Sequence, residues 1–140
     1  MASVTPAMEL VMTLSSLQSH LLKKIDRRLN AHGISFTELL VMYHLDIVPN
    51  KTMRRIDLAE NVGLSASGVT RLLSPMEKNR LVQKEPNPRD ARVSLVKLTK
   101  TGERVLKEAF VSFEDSAQTL TQALDARQLA KMLELTKELL

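Results

Sequence analysis

The segment Ser65–Leu73 most constrains the fold of this chain, because it has the pattern of a helix with one apolar face and one small, basic face. Ser65 is a suitable N-cap, and Leu64 can pack against Val69 to fix how the chain enters the helix. The apolar side carries Val69, Leu72, Leu73 and Met76. The opposite side carries Ala66, Ser67, Thr70, Arg71 and Ser74. Such a face suits insertion between two phosphate ridges, although a polar face can also be merely solvated.

A shorter helix is predicted immediately before this one, over about residues 54–61. Its candidates for burial are Ile56, Leu58, Ala59 and Val62. Gly63 is expected to end it, because glycine readily adopts the left-handed conformation found after helices. A helix, a glycine turn and a capped second helix form the pattern of a helix-turn-helix.

Two strands are predicted after Arg80, where the period of the apolar residues changes. Residues 81–85 and 93–98 read as strands, and the loop Pro86–Arg92 between them is rich in turn-forming residues and carries two arginines. A strand, a basic loop and a second strand after a helix-turn-helix predict a winged helix. The fold class is therefore mainly α (α+β), with a two-stranded wing.

Long apolar helices are predicted at both ends of the chain. The first is expected from Thr5 to Gly33, and a second from a capping box at Ser35. Thr99 is expected to cap a helix to about Leu120, and a capping box at Asp125 opens the last helix. Unshielded, these apolar ends would leave large hydrophobic patches, which a symmetric homodimer with interleaved ends would bury.

Pro75 interrupts the pattern of the central helix. A proline inside a helix removes the hydrogen bond to the carbonyl four residues earlier, here that of Arg71, at a cost of about 3 kcal/mol. The run Ser74-Pro75-Met76-Glu77 also resembles a helix start. The sequence therefore predicts a kink or short break near Ser74.

The basic residues are concentrated around the predicted helix-turn-helix and wing. Residues 51–104 contain twelve basic and six acidic residues, a net charge of +6, whereas the remainder contains eight basic and ten acidic residues, a net charge of −2. Concentrated positive charge favours a polyanionic partner. With 140 residues and no cysteine, the chain fits one domain in a reducing compartment. We see no signal peptide or membrane span, which predicts a cytoplasmic protein without a membrane partner.

The chain resembles the MarR family of winged-helix transcription regulators. The resemblance rests on Ser65–Leu73, on Glu77-Lys78 followed by Leu81-Val82, and on Asn87–Arg92 followed by Val96–Thr99 and Gly102. The order of six helices and one wing also matches, so the likeness covers nearly the whole chain. The chain departs from the family pattern at Asn87, where an aspartate is frequent, at Arg80, where glycine usually ends the helix, and at Pro75.

The resemblance implies a single domain of residues 1–140, with a DNA-binding lobe over about 35–98 and dimerisation helices over about 5–32 and 99–140. It implies a homodimer on a palindromic operator in double-stranded DNA. The recognition-helix residues would be Ser65, Ser67, Thr70 and Arg71, and the wing residues would be Arg89, Asp90 and Arg92. Asp90 is placed to orient one of the arginines by an ion pair.

The resemblance also implies a repressor that a small amphipathic or aromatic effector releases. Met42 and Tyr43 are weak candidates for lining an effector pocket, whose position the sequence leaves unknown. An activator remains an alternative, because no residue encodes the position of an operator relative to its promoter.

Other functional classes find less support in the sequence. No catalytic or cofactor-binding motif occurs, so we expect no enzyme, no catalytic residue and no cofactor. A metal-responsive regulator of the same fold is an alternative, but His20, His32 and His44 lie apart and lack cysteine partners, so no metal site is expected. One tyrosine, three phenylalanines and no tryptophan offer few platforms for stacking RNA bases.

Overall fold

The computed structural model of the chain describes residues 2–140, which form six α-helices and three β-strands. In chain order they are α1 (Pro6–Leu29), α2 (Phe36–Asp46), β1 (Thr52–Arg54), α3 (Arg55–Val62), α4 (Ala66–Lys78), β2 (Val82–Pro86), β3 (Ser94–Leu98), α5 (Lys100–Leu120) and α6 (Ala126–Lys137). Short 3-10 turns span Asn30–His32 and Pro49–Lys51. The predicted winged helix flanked by terminal helices is confirmed.

The predicted helix starts are confirmed by side-chain caps. The hydroxyl of Ser65 accepts the backbone N–H of Gly68 at 3.1 Å. Reciprocal capping boxes join Ser35 to Glu38 and Asp125 to Gln128. The remaining two predicted caps are Thr5 and Thr99. Each cap supplies a partner for an N–H group that the first turn of a helix leaves free.

Two helices end in the same hydrogen-bonded motif, one with glycine and one without. Gly63 after α3 is left-handed, with φ of 69°. After α4 the left-handed residue is Arg80, with φ of 61°. Its N–H donates to Glu77, and the N–H of Leu81 donates to Met76. These two bonds form a Schellman motif, which holds Arg80 in a conformation that costs a side-chain-bearing residue about 1–2 kcal/mol.

The sequence predicted a kink or a short break near Ser74. Helix α4 continues through Pro75, so the break is wrong. Pro75 is exposed, and its ring lies away from the core. Leu73 and Met76, which precede and follow Pro75 in the chain, are fully buried. Burial of large side chains on both sides offsets the loss of one backbone hydrogen bond, because each such side chain contributes about 1.5–3 kcal/mol.

The sheet contains one strand more than the sequence predicted. β3 lies between β2 and β1 and is antiparallel to both. In the added pair, Met53 faces Val96 and Arg54 faces Leu95. β1 therefore fixes the base of the wing to the chain immediately before α3.

The core contains apolar side chains from α1 to α5 and from the sheet. The apolar pattern of α2 predicts burial of five residues and omits Val41: Leu39, Leu40, Met42, Tyr43 and Leu45. Most positions predicted to be buried are buried, but three positions in α2 and α3 differ from the prediction. Val41 is fully buried and was missed, whereas Tyr43 is 37% exposed and Ile56 is 61% exposed. Helix α5 contacts both α1 and α2, so the interior is shared between the long helices and the elements before the helix-turn-helix.

The hydroxyl of Thr99 joins the end of α4 to the start of α5. It donates to the carbonyl oxygens of Arg80 and Leu81, at 2.5 and 3.0 Å, and accepts the N–H of Gly102 at 2.9 Å. The backbone N–H of Thr99 also donates to Leu81, at 3.1 Å. One residue therefore connects the C-terminal end of α4, the first residue before β2 and the first turn of α5.

Helix α6 and the first half of α1 expose apolar side chains. None of the residues of α6 is buried. The exposed apolar residues of these two segments include Met8, Leu10, Val11, Met12, Leu129, Met132, Leu133 and Leu135. Among the helices of residues 2–140, none is long and apolar enough to cross a membrane.

Candidate nucleic-acid interface

Helix α4 is held against the core by its apolar side and against α3 by an ion pair. Val69, Leu73 and Met76 are buried. The guanidinium of Arg55, in the first turn of α3, donates to the carboxylate of Glu77 at 3.0 Å. Sequence reasoning missed this contact, because the two residues are 22 positions apart and no local pattern links them. Two packed helices thus present the opposite face of α4 to solvent.

The predicted recognition residues all lie on this exposed face, but their polar groups differ in availability. The Ser65 hydroxyl is occupied as the N-cap and lies 3.2 Å from the Ser67 hydroxyl. The Thr70 hydroxyl donates to the carbonyl of Ala66 at 3.1 Å, so its proton is already engaged. Arg71 extends from the same face and is the cation of this group. Ser67 and Arg71 are therefore the two predicted recognition residues whose side chains form no hydrogen bond to the backbone among the described residues.

Two consecutive Asx turns build the tip of the wing. The side-chain oxygen of Asn87 accepts the backbone N–H of Arg89 at 2.9 Å, and that of Asp90 accepts the N–H of Arg92 at 3.0 Å. Each arginine therefore stands two residues after a side chain that orders its backbone. Asparagine serves as well as aspartate in the first turn, because the turn needs only a side-chain oxygen.

Asp90 pairs with Arg92 through both carboxylate oxygens. The guanidinium Nε lies 3.1 Å from one oxygen, and a terminal nitrogen lies 3.4 Å from the other. The hydrogen bonds from the guanidinium and from the backbone N–H of Arg92 lower the pKa of Asp90. The predicted ion pair at the wing is confirmed, and Arg92 rather than Arg89 is its cation. Arg92 remains largely exposed, so a phosphate can still approach it.

The two weak effector candidates do not share a cavity. Met42 is fully buried in the core, and the ring of Tyr43 packs edge-on against Phe110, with centroids 5.9 Å apart. A largely apolar cavity of about 620 Å³ lies instead between α1, α2, α5 and the turn after α3, and neither residue lines it. Its lining includes Leu21, Phe36, Leu40, Leu64, Phe113 and Leu120.

Within residues 2–140, the structure brings together no group of three His, Asp or Glu side chains that could hold a metal ion. His32 instead lies 2.8 Å from the hydroxyl of Ser112, across the contact between the end of α1 and α5. Burial lowers the pKa of His44 in α2.

Comparisons with known proteins agree with this arrangement. A model described as the MarR family matches residues 32–93, which run from the end of α1 to the wing. The transcriptional repressor MprA of Escherichia coli (strain K12) is 25% identical over 124 residues, covering 89% of this chain and 70% of that protein. An uncharacterised HTH-type transcriptional regulator, YhbI of Bacillus subtilis (strain 168), is 32% identical over 72 residues, covering 51% of this chain and 47% of that protein.

Solved structures share the fold over the whole chain. A mutant of MarR from E. coli, complexed with operator DNA, superposes with a TM-score of 0.88 at 21% identity, covering 100% of this chain and 99% of that one. A MarR family transcriptional regulator from Streptomyces coelicolor in complex with DNA gives 0.87 at 22% identity, covering 99% and 89%. The family match over residues 32–93, the similar repressor and the shared fold show that this chain is similar to the MarR family of winged-helix transcription regulators.

Proposed function

We propose that this chain represses transcription by binding a specific sequence in double-stranded DNA as a homodimer, and that a small effector releases it. The observation that carries the proposal is the exposed face of α4, which offers Ser67 and Arg71 to solvent while its other side is anchored in the core. The similar MprA is named a transcriptional repressor, and two structures of this fold hold DNA. The proposal involves no catalytic step.

In this proposal, α4 enters the major groove and reads base edges. A guanidinium can donate two hydrogen bonds to guanine, which assigns the main discriminating contact to Arg71. Ser67 supplies a hydroxyl beside it, and the methyl group of Thr70 suits contact with a thymine methyl. Ser65 acts through the helix N-terminus that it caps, where free N–H groups favour a phosphate.

The wing is proposed to contact the flanking minor groove. Arg92 inserts toward it, with Asp90 fixing the direction of the guanidinium, and Arg89 contacts the neighbouring backbone. Arginine suits this role because a narrow minor groove has an enhanced negative potential. The paired turns at Asn87 and Asp90 support this proposal, since they order the loop before DNA arrives.

The chain is proposed to divide into a DNA-binding lobe, residues 35–98, and dimerisation helices, residues 5–32 and 99–140. The exposed apolar residues of α1 and α6 support this division, because contact with a second copy would remove them from water. A two-fold dimer places two α4 helices toward successive major grooves, about 34 Å apart. The operator would then be palindromic.

The effector is proposed to bind in the apolar cavity between α1, α2 and α5. Its volume of about 620 Å³ and its aromatic lining fit a small amphipathic or aromatic molecule. Because both α1 and α5 belong to the proposed dimerisation region, a ligand there is positioned to change the separation of the α4 helices. Met42 and Tyr43 do not line this cavity, so neither is proposed to contact the effector.

Selection of bound fragments from sheared genomic DNA tests the proposal. We expect enrichment of a palindromic sequence that the protein binds more weakly as salt rises. Arg71→Ala should weaken binding to this sequence by about 1–3 kcal/mol and reduce the preference over a scrambled duplex. The proposal is contradicted if no sequence is enriched, or if Arg71→Ala prefers the selected sequence over the scrambled duplex as strongly as the unaltered protein does.

A further inference from the structure

The exposed face of α4 extends beyond Arg71, because the helix continues through Pro75. Residues three or four positions apart lie on one side of a helix. Ser67, Arg71, Ser74 and Lys78 follow one another at spacings of 4, 3 and 4, and all four are exposed. They form a continuous line of polar side chains, which we call the α4 stripe.

The last two members of the stripe are free to bind a ligand. Glu77, the carboxylate of α4 next to Lys78, is engaged by Arg55 at 3.0 Å. Lys78 is therefore not neutralised by its neighbour, and it forms no ion pair with any of residues 2–140. The Thr70 hydroxyl is bonded to Ala66, whereas no hydrogen bond among the described residues involves the Ser74 hydroxyl. One cation and one free hydroxyl thus lie at the C-terminal end of the stripe.

The length of the stripe indicates what these groups would meet. At a rise of 1.5 Å per residue, Ser74 lies about 10 Å and Lys78 about 16 Å along the axis from Ser67. The major groove is about 12 Å wide. If the first turn of α4 lies at the bases, Ser74 reaches the edge of the groove and Lys78 reaches the phosphate ridge beyond it.

We propose that Ser74 and Lys78 bind backbone phosphates of the DNA, Ser74 by donating its hydroxyl and Lys78 by an ion pair. This inference rests on the proposed function of α4. It divides the α4 stripe into two parts: Ser67 and Arg71 face bases, whereas Ser74 and Lys78 hold the helix in register on the backbone. Such contacts position a protein without reading sequence.

The test uses fluorescence anisotropy over a series of salt concentrations, with the selected duplex and a scrambled duplex of equal length. Lys78→Gln is compared with Lys107→Gln, which makes the same charge change on the exposed surface of α5. We expect Lys78→Gln to weaken binding to both duplexes by a similar factor. Its salt slope should be shallower by about 0.9 per lysine, or about 1.8 for a dimer. Lys107→Gln should leave the slope unchanged.

Ser74 is tested with two variants. Ser74→Asp places a carboxylate against the phosphate, so we expect it to weaken binding to both duplexes more than Ser74→Ala does. Urea unfolding of each variant checks that the protein is folded. If Lys78→Gln and the Ser74 variants have the same salt slopes and affinities as Lys107→Gln, the inference is wrong. Arg71→Ala would still lose its preference for the selected duplex over the scrambled one in that case. If the unaltered protein fails to bind duplex DNA, the proposed function itself is wrong.

Discussion

Gly102 in α5 packs directly against the carbonyl oxygen of Leu81. A β-carbon at residue 102 would lie 2.2 Å from this oxygen and 2.6 Å from a methyl group of Leu98. Gly102→Ala should therefore force α5 away from the base of the wing and lower the free energy of unfolding by about 1–3 kcal/mol. Urea unfolding measures the change. Thr101→Ala, at the exposed neighbouring position, is the control and should change it by less than about 0.5 kcal/mol.

Pro75→Ala is expected to stabilise the protein. Alanine restores the N–H group that can donate to the carbonyl of Arg71, so the free energy of unfolding should rise by about 1–3 kcal/mol. Pro6→Ala is the matched control, because Pro6 occupies the first turn of α1, where a missing N–H costs nothing. A loss of stability in Pro75→Ala would show that the ring itself contributes packing.

Arg92→Ala should weaken DNA binding and reduce its salt dependence. The arginine is largely exposed at the wing, and its guanidinium is proposed to lie in the minor groove. We expect a salt slope shallower by about 0.9 for each arginine removed. Arg104→Ala, on the exposed side of α5, serves as the control. Unchanged affinity in Arg92→Ala would remove the wing from the proposed interface.

The pair of Asp90 and Arg92 should persist through the neutral pH range. The pKa of Asp90 lies below its ordinary value of 3.8, so the pair contributes fully above that value and is lost as pH falls through the lowered pKa. NMR titration of the Asp90 carboxyl group should show this midpoint. In Asp90→Asn the titration of this group disappears. The turn at residue 90 should remain, because Asn87 forms a separate turn of the same kind through an amide oxygen. Loss of the Arg92 N–H hydrogen bond in this variant would contradict the expectation.

Leu135→Glu should convert the proposed dimer into monomers. The side chain lies on the apolar surface of α6, and a carboxylate buried in an interface without a partner is strongly unfavourable. Size-exclusion chromatography with light scattering gives the mass directly. Arg127→Glu changes an exposed residue in the first turn of α6 and should leave the dimer intact. A monomeric unaltered protein would refute the dimer.

The features predicted correctly depend on residues close together in the chain. The caps at Ser35, Ser65 and Asp125 each involve a partner three residues away, so their sequence spacing determines them. The left-handed Arg80 lies where a glycine usually ends the helix, so its conformation is also tied to a local signal in the sequence. The wing was recognised because turn-forming residues separate its two strands.

The features that were missed depend on contacts between distant segments. β1 has three residues and exists because β3 lies beside it, 43 positions later. The exposure of Tyr43 and Ile56 depends on where neighbouring elements end, which periodicity does not reveal. The continuity of α4 at Pro75 depends on the burial of Leu73 and Met76. Local propensity predicted a break there, and tertiary packing outweighed it.

The hydroxyl of Thr99 connects the end of α4 to the first turn of α5, so the two helices are expected to move together. Helix α5 has 21 residues, a length of about 31 Å. Because Thr99 clamps its first turn to the carbonyl oxygens of Arg80 and Leu81, a rotation of about 5° around the far end of α5 would carry the end of α4 roughly 3 Å. In the proposed dimer, a change in the direction of α5 would therefore change the interval between the two α4 helices.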